Sequence, residues 1–214
     1  PARLRGGPAQ WLATPFEARL IRQSAARVLN TPDMREWFEE TFGFASRDRN
    51  FVVSNGFDPV RSNAQPDASG PLRIIHAGEI YGSRTLVPML QALRGLMVRH
   101  PERPIRVTSY GKLPAPEWQR IRAAGLDDLI EERPRVAFTA LFPELQRSHV
   151  LLALLGDHMT YSTPYKVYDY MAAGRPILGL APPDAALHEL LAESGAGGSP
   201  NPQDHRPMAQ ALAP

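Results

Sequence analysis

Between residues 72 and 194, short apolar segments alternate with longer amphipathic ones. The apolar segments predicted as strands are LRIIHAG (72–78), IRVTSYG (105–111), RVAF (135–138), HVLLALL (149–155) and PILGL (176–180). The segments between and after them predict helices. Strands that are apolar throughout are buried on both faces, which favours a parallel sheet covered by helices. The sequence therefore predicts an α/β protein with a Rossmann-like parallel sheet and helices on both faces.

The first 60 residues have a pattern of their own. A helix ends near Ala25, the strand AARVLN follows, a second helix starts at Thr31-Pro32-Asp33 and stops at Gly43, and FVVSN forms a strand. Thr as N-cap, Pro in the first turn and Gly at the end are typical helix boundaries. Residues 61–71, RSNAQPDASGP, are polar and rich in turn formers. We predict three regions: 1–60, a linker over 61–71, and a main domain over 72–214, with a last helix after Pro202.

Composition excludes several kinds of chemistry. The chain has no cysteine, which removes disulfides, thiolate metal sites and thiol nucleophiles. Its 24 Lys and Arg are dispersed among 22 Asp and Glu, so no nucleic acid partner is expected. The longest apolar run, VLLALL, is far shorter than the roughly 20 residues of a membrane span. No charged leader precedes an apolar stretch, so we expect a cytoplasmic protein, at most peripheral to the inner face of a membrane.

Ligands of open parallel sheets bind beyond the carboxyl ends of the strands, so the strand-to-helix loops carry the functional prediction. HAGEIYGSR (76–84) contains Gly78 and Gly82 ahead of a helix predicted to begin at Arg84. SYGK (109–112) brings Tyr110 and Gly111 beside a cation. Glycines let a backbone approach a ligand closely, and ordinary turns use them too. A glycine pair is not a full dinucleotide fingerprint, so both interpretations stay open.

The third loop, GDHMTYSTPYK (156–166), gives the strongest signal. Thr163-Pro164 predicts a helix start whose free N–H groups suit a diphosphate, and Lys166, one of two lysines in the chain, adds a cation there. Lys166 and Asp169 share one helix face, so a phosphate contact and a hydroxyl contact fit one ligand. The alternative is a surface ion pair worth a few tenths of a kcal/mol.

Three motifs in this order resemble the C-terminal half of retaining glycosyltransferases of family 4, which have the GT-B fold. They are SNGFD (54–58), HAGEIYGSRTLVPMLQAL (76–93) and STPYKVYDYMAAGRPILG (162–179), and the similarity runs from about Phe16 onward. The resemblance implies a two-lobed enzyme of hexosyl-transfer type. It would move a sugar from a nucleotide-diphosphate sugar to a sugar or lipid-linked acceptor, in polysaccharide or glycoconjugate biosynthesis. Residues 72–214 would be the donor-binding lobe and 1–60 the tail of the acceptor lobe.

The resemblance also implies roles for individual residues. Arg84 and Lys166 match the cations that neutralise the diphosphate during catalysis, Gly78 matches the phosphate loop, and Asp169 matches an acid that holds the ribose. Two positions depart from the family: Tyr161 replaces the first acid of the pair, and Glu79 stands where many members have a basic residue. The other donor-binding candidates are Tyr110, Gly111, Ser162, Thr163 and Pro164. No metal or other cofactor is expected, since the cations supply the charge and the chain has no Asp-x-Asp motif.

Two alternatives remain at this stage. A sugar-nucleotide epimerase shares the architecture but would need acidic and His groups in the cleft. A degenerate, non-catalytic nucleotide-sugar-binding module is the other alternative, and Tyr161 and Glu79 are the residues that favour it.

Overall fold

A computed structural model describes residues 8–43, 49–58, 60–66, 70–157 and 159–199, with side chains from Pro15 onward. It divides into two units. The smaller unit is drawn from the chain up to Asn55 and from Tyr161–Thr163, and the larger unit from the remainder. The domain boundaries predicted at residues 60 and 72 stay a prediction.

The smaller unit contains α1 (Pro8–Gln23), β1 (Arg27–Leu29), α2 (Pro32–Phe42) and β2 (Asn50–Val52), with β1 parallel to β2. The predicted boundaries of α2 are confirmed. The Thr31 hydroxyl accepts a hydrogen bond from Met34 N at 2.9 Å, and Gly43 ends the helix at φ +65°. The left-handed conformation costs little at glycine.

The larger unit has a sheet of six strands, and every strand pair in it is parallel. The strands are β3 (Leu72–Ala77), β4 (Ile105–Tyr110), β5 (Ile130–Arg133), β6 (Val150–Leu154), β7 (Ile177–Leu180) and β8 (Gly197–Gly198). The helices are α3 (Val87–Arg99), α4 (Ala115–Ala123), α5 (Phe138–Arg147), α6 (Lys166–Ala173) and α7 (Ala186–Ser194), with a short 3-10 helix over Asp127–Leu129. The order β5-β4-β3-β6-β7-β8 reverses direction between β3 and β6, where ligands of such sheets bind.

Apolar side chains cover both faces of this sheet. One core cluster includes Ile74, Leu90 and Ile121, and the other includes Ile75, Leu151 and Tyr170. The predicted α/β class with a parallel sheet is confirmed. No helix among the described residues is long and apolar enough to cross a membrane.

The strand predicted at RVAF (135–138) is wrong. The strand is Ile130–Arg133, which pairs with 107–110, and Phe138 instead begins α5. An edge strand does not need a continuous apolar run. Glu131 and Glu132 interrupt the apolar pattern from which strands are predicted. Pro134 then stops the ladder because it has no N–H to donate.

Two predicted helix starts are also wrong. α3 begins at Val87 and not at Arg84, because the Leu86 N–H is bound by the Glu117 carboxylate at 2.7 Å and Pro88 lies in the first turn. α6 begins at Lys166 with Tyr165 at the N-cap and no side-chain capping bond, so Thr163 does not cap it. The helix predicted after Pro202 lies outside the described residues.

Candidate functional site

A cleft of about 570 Å³ lies in the larger unit at the carboxyl ends of β3 and β4. Four of the residues predicted from sequence line it: Gly78, Tyr110, Lys166 and Asp169. The other lining residues are Gly56, Phe57, Asp58, Ala77, Arg135, Val136, Phe138, Leu141, Leu145, Tyr165 and Tyr170. Loops far apart in the sequence thus meet at one sheet edge, as parallel strands require.

Two glycines bring the ends of β3 and β4 into close contact. Gly78 N donates to Tyr110 O at 2.8 Å, and both Gly78 (φ +126°) and Gly111 (φ +136°) adopt backbone angles that disfavour side chains. A Cβ on Gly111 would lie 2.6 Å from Gly78 O, and one on Gly78 would lie 2.8 Å from Lys166 Nζ. Glycine is required at both positions, and its absence of a side chain leaves room for an ammonium group.

Lys166 places that ammonium group beside the end of β3. Its Nζ donates to Ala77 O at 2.9 Å. Burial lowers the pKa of Lys166 to about 8, and the nearby positive charge of Arg84 contributes. No carboxylate of the described residues lies within 4.0 Å of Nζ, so the surface pair with Asp169 does not form. The cation therefore has a backbone carbonyl as its partner and no counter-charge.

Arg84 is a second cation near the cleft, although it is not among the lining residues. It is only 8% exposed, and its guanidinium lies over the Tyr81 ring, 4.0 Å from the centroid. Within the part of the chain that the structure describes, it forms no ion pair. Two like charges close enough to affect each other disfavour protonation of the weaker base, which here is Lys166.

His76 lies one residue before Ala77 and is fully buried. Its Nδ1 is 3.0 Å from Leu152 O, and no partner for Nε2 is found among the described residues. Burial lowers the pKa of His76 to about 3, with the charges of Lys166 and Arg84 acting in the same direction. The imidazole is therefore neutral and adds no third positive charge.

Two carboxylates, Asp58 and Asp169, also line the cleft. Burial raises the pKa of Asp169, and the negative charge of Asp58 raises it further. Neither carboxylate has a cation within 4.0 Å among the residues described. Asp58 was not selected as a site residue from sequence, although it ends the SNGFD motif.

The segment after β5 supplies apolar wall residues that sequence reasoning missed. Val136, Phe138 and Leu141 line the cleft, as does Arg135. Arg135 Nη1 lies 3.7 Å from Glu79 Oε1, and both side chains are exposed. The predicted donor-binding residue Glu79 does not line the cleft and instead pairs with a cation that does. Because this segment was predicted as a strand, its loop character went unrecognised.

Three predicted residues, Tyr161, Ser162 and Thr163, belong to the smaller unit and are absent from the cleft lining. The Tyr161 ring stacks on Trp37 with centroids 4.4 Å apart, and its carbonyl accepts from the Thr31 hydroxyl. Ser162 and Thr163 are buried. Of the remaining predicted residues, Gly111 abuts Gly78, and Pro164 is not a lining residue.

Among the residues that the structure describes, no group of three or more His, Asp and Glu side chains is placed to hold a metal ion.

No family model matches the sequence, and no curated protein matches it either. Solved structures do resemble the chain. WaaG, a glycosyltransferase involved in lipopolysaccharide biosynthesis, has a TM-score of 0.73 at 11% identity and covers 99% of this chain. Anabaena HepE, solved with UDP and glucose, has a TM-score of 0.63 at 14% identity and covers 91%. A TarM variant of S. aureus, solved with fondaparinux, alpha-GlcNAc-glycerol and UDP, has a TM-score of 0.67 at 10% identity and covers 94%.

These similarities show a shared fold. The parallel sheet of six strands flanked by helices matches one lobe of GT-B glycosyltransferases, which confirms the predicted fold. The chain spans 60% of the length of WaaG, 56% of HepE and 38% of TarM.

Proposed function

We propose that this chain is the donor-binding lobe of a glycosyltransferase that moves a sugar from a nucleoside-diphosphate sugar to an acceptor. The observation that carries the proposal is the pair Lys166 and Arg84. Arg84 is buried and Lys166 is half-buried. Burial, together with the positive charge of Arg84, lowers the pKa of Lys166 to about 8. No carboxylate of the described residues lies within 4.0 Å of either cation. Burying two like charges together is unfavourable unless an anion binds there. A diphosphate has the charge to do so.

The reaction would use this charge in the transition state. When the glycosyl bond breaks, negative charge builds up on the departing diphosphate. Cations placed there stabilise the transition state more than the bound substrate, which raises the rate. Lys166 is the first residue of α6, so the positive end of that helix acts on the same group. Gly78, with no side chain, would let backbone approach the phosphates.

The nucleoside would occupy the rest of the cleft. We assign the ribose hydroxyls to Asp169, one helical turn beyond Lys166, because a carboxylate without a cationic partner accepts hydrogen bonds from hydroxyls. Tyr110 and the apolar walls Val136 and Phe138 would contact the base. The donor contacts assigned to Tyr161, Ser162, Thr163 and Pro164 stay predictions, and Glu79 would act through Arg135.

The sequence motifs and the similar solved structures together support a more specific function. We propose a retaining, family-4-like enzyme that makes polysaccharide or glycoconjugate, with the acceptor bound mainly by a part of the enzyme beyond this chain. A lipopolysaccharide enzyme and two structures holding UDP are among the similar folds, so UDP is the first nucleotide to test. Activity would not require a metal, since Lys166 and Arg84 carry the charge.

The geometry favours a transferase over an epimerase. An epimerase would need a His beside acids in the cleft, whereas none of the described lining residues is a histidine and His76 is buried and neutral. The non-catalytic binding module is favoured by the Glu79–Arg135 pair at 3.7 Å, which reduces the positive charge offered to a diphosphate.

Isothermal titration calorimetry with UDP, GDP, ADP and the matching nucleosides tests the proposal, with and without EDTA. Lys166→Ala should weaken diphosphate binding by roughly 1 to 3 kcal/mol, the loss of a charge-assisted hydrogen bond, and leave nucleoside binding almost unchanged. Lys112→Ala is the matched control, because Lys112 is the other lysine, is exposed and does not line the cleft. Wild-type protein that binds no nucleoside diphosphate, or equal affinities for both variants, would contradict the proposal.

A further inference from the structure

Glu117, on α4, is a carboxylate with no solvent exposure. Its Oε1 accepts from Leu86 N at 2.7 Å and from the Thr85 hydroxyl at 3.0 Å. Its Oε2 accepts from Arg120 Nε at 3.0 Å and Nη2 at 2.5 Å. A buried carboxylate with four donors is well satisfied, so its geometry is fixed.

The two donors on Oε1 directly follow Arg84 in sequence. The other side of Arg84 is anchored as well, since the Ser83 hydroxyl accepts from Asp157 N at 3.2 Å. The Leu86 side chain cannot cap α3, and no side-chain cap forms at that helix start. Glu117 therefore provides the hydrogen-bond acceptor that fixes the chain between Arg84 and α3.

Arg84 depends on this anchoring more than a paired arginine would. Its guanidinium contacts the Tyr81 ring, and none of the described carboxylates forms an ion pair with it. Tyr81 belongs to the same loop and is 58% exposed. The direction of the Arg84 side chain is thus set by the loop backbone and not by a carboxylate partner of its own.

We propose that Glu117 is a positioning residue for Arg84: through Leu86 N and the Thr85 hydroxyl it holds the loop in the conformation in which Arg84 acts on a bound diphosphate. This inference rests on the proposed function. It assigns a role in ligand binding to a buried residue of α4 that does not line the cleft.

Calorimetry on Glu117→Ala tests the inference. UDP affinity should fall roughly tenfold, the effect of one misplaced charge-assisted contact, while uridine affinity changes less than about twofold. Glu117→Gln keeps a carbonyl acceptor for Leu86 N and should fall between wild type and Glu117→Ala. Ile121→Val is the control for stability: Ile121 is buried on the same helix, and the change loosens the core without removing a hydrogen-bond partner of the loop. Its UDP affinity should equal that of wild type.

A double-mutant cycle separates positioning from a general loss of structure. Once Arg84→Ala has removed the guanidinium, adding Glu117→Ala should have no further effect on UDP affinity. An equal fall in both backgrounds would overturn the inference, and so would an Arg84→Ala variant that binds UDP like wild type. If Glu117→Ala does not fold, Thr85→Val removes one donor to Oε1 and should weaken UDP binding roughly two- to threefold. No change in that variant would also overturn it.

The same experiments distinguish this failure from failure of the proposed function. If wild-type protein binds no nucleoside diphosphate, the proposed function is wrong. If wild type binds UDP and Arg84→Ala weakens it, while Glu117→Ala binds as wild type, only the positioning role is wrong.

Discussion

The cations at the two ends of β3 have different partners. Near its start, Arg73 Nη2 lies 3.1 Å from Glu144, a carboxylate that also binds Arg147. At its end, Ala77 O accepts from the Lys166 ammonium, and neither Lys166 nor Arg84 has a carboxylate partner among the described residues. The first arrangement is an ion pair, whereas the second disfavours the charged form of Lys166. Under the proposed function, a bound diphosphate would supply the missing negative charge.

The largest expected effect comes from the glycines at the carboxyl ends of β3 and β4. Gly111→Ala should lower the free energy of unfolding by roughly 2 to 4 kcal/mol and abolish UDP binding, because the new Cβ would lie 2.6 Å from Gly78 O at a φ of +136°. Gly95→Ala, inside α3, is the control and should raise stability by about 0.5 to 1 kcal/mol. Urea unfolding measures both. Equal effects would show that the two strand ends meet without steric constraint.

The second-largest expected effect comes from replacing the cation at each end of β3 by methionine. Lys166→Met should raise the free energy of unfolding at pH 7 by roughly 1 to 2 kcal/mol, because the fold disfavours the charged form of this lysine. Arg73→Met should lower it by about 1 kcal/mol through loss of the Glu144 pair. Opposite signs in urea unfolding would support the comparison. A loss of stability in both variants would mean that Lys166 is as well satisfied as Arg73.

Between pH 7 and 9.5, the pH dependence should come from Lys166 at the carboxyl end of β3. The pKa of Lys166 is lowered to about 8, so above pH 8 the free protein loses the ammonium proton, and UDP affinity should fall by up to about tenfold per pH unit. The free energy of unfolding should rise between pH 8 and the ordinary lysine pKa, because the unfolded chain holds the proton longer. Calorimetry between pH 7 and 9.5 checks the affinity. The same slope in Lys166→Met would assign the titration to another group.

The smallest expected effect concerns the exposed ion pair between Glu79, which follows β3, and Arg135. Glu79→Ala frees Arg135, which lines the cleft, so UDP should bind roughly two- to threefold more tightly at low salt. Stability should hardly change, since exposed ion pairs contribute little. Titrations at two salt concentrations measure the gain. Weaker binding in the variant would indicate that Glu79 itself contacts the ligand.

In the larger unit, the strands predicted correctly from the sequence are the buried ones, because burial favours apolar residues. β6 and β7 are buried throughout and read as apolar runs. β3 and β4 are buried at most positions, with Arg73 and Arg106 among the exceptions. The edge strands β5 and β8 were not predicted, because β5 contains charged residues and β8 consists of two glycines. A strand at the edge is specified by pairing on one side, which composition does not reveal.

Site residues were predicted correctly where they lie at the end of a strand or at the start of a helix. Gly78, Tyr110 and Lys166 line the cleft because strand ends and the start of α6 place them there. Arg84 was chosen for a helix start that lies three residues further on, at Val87. Glu117 and Asp58 depend on contacts between distant segments, such as the bond from Glu117 to Leu86, which is 31 positions away. Local sequence patterns do not contain such contacts.

The strand order also has a consequence for the time course of folding. β3 pairs on one side with β4, the next strand along the chain, and on the other side with β6, where Ile74 lies beside Val150. The bond from Lys166 to Ala77 spans 89 positions. Contacts between distant segments require closure of larger loops and form later than local ones. A nucleotide should therefore leave early refolding rates unchanged and accelerate none of the local steps. Stopped-flow refolding should give equal early rates with and without UDP, whereas stopped-flow unfolding should be slower with UDP.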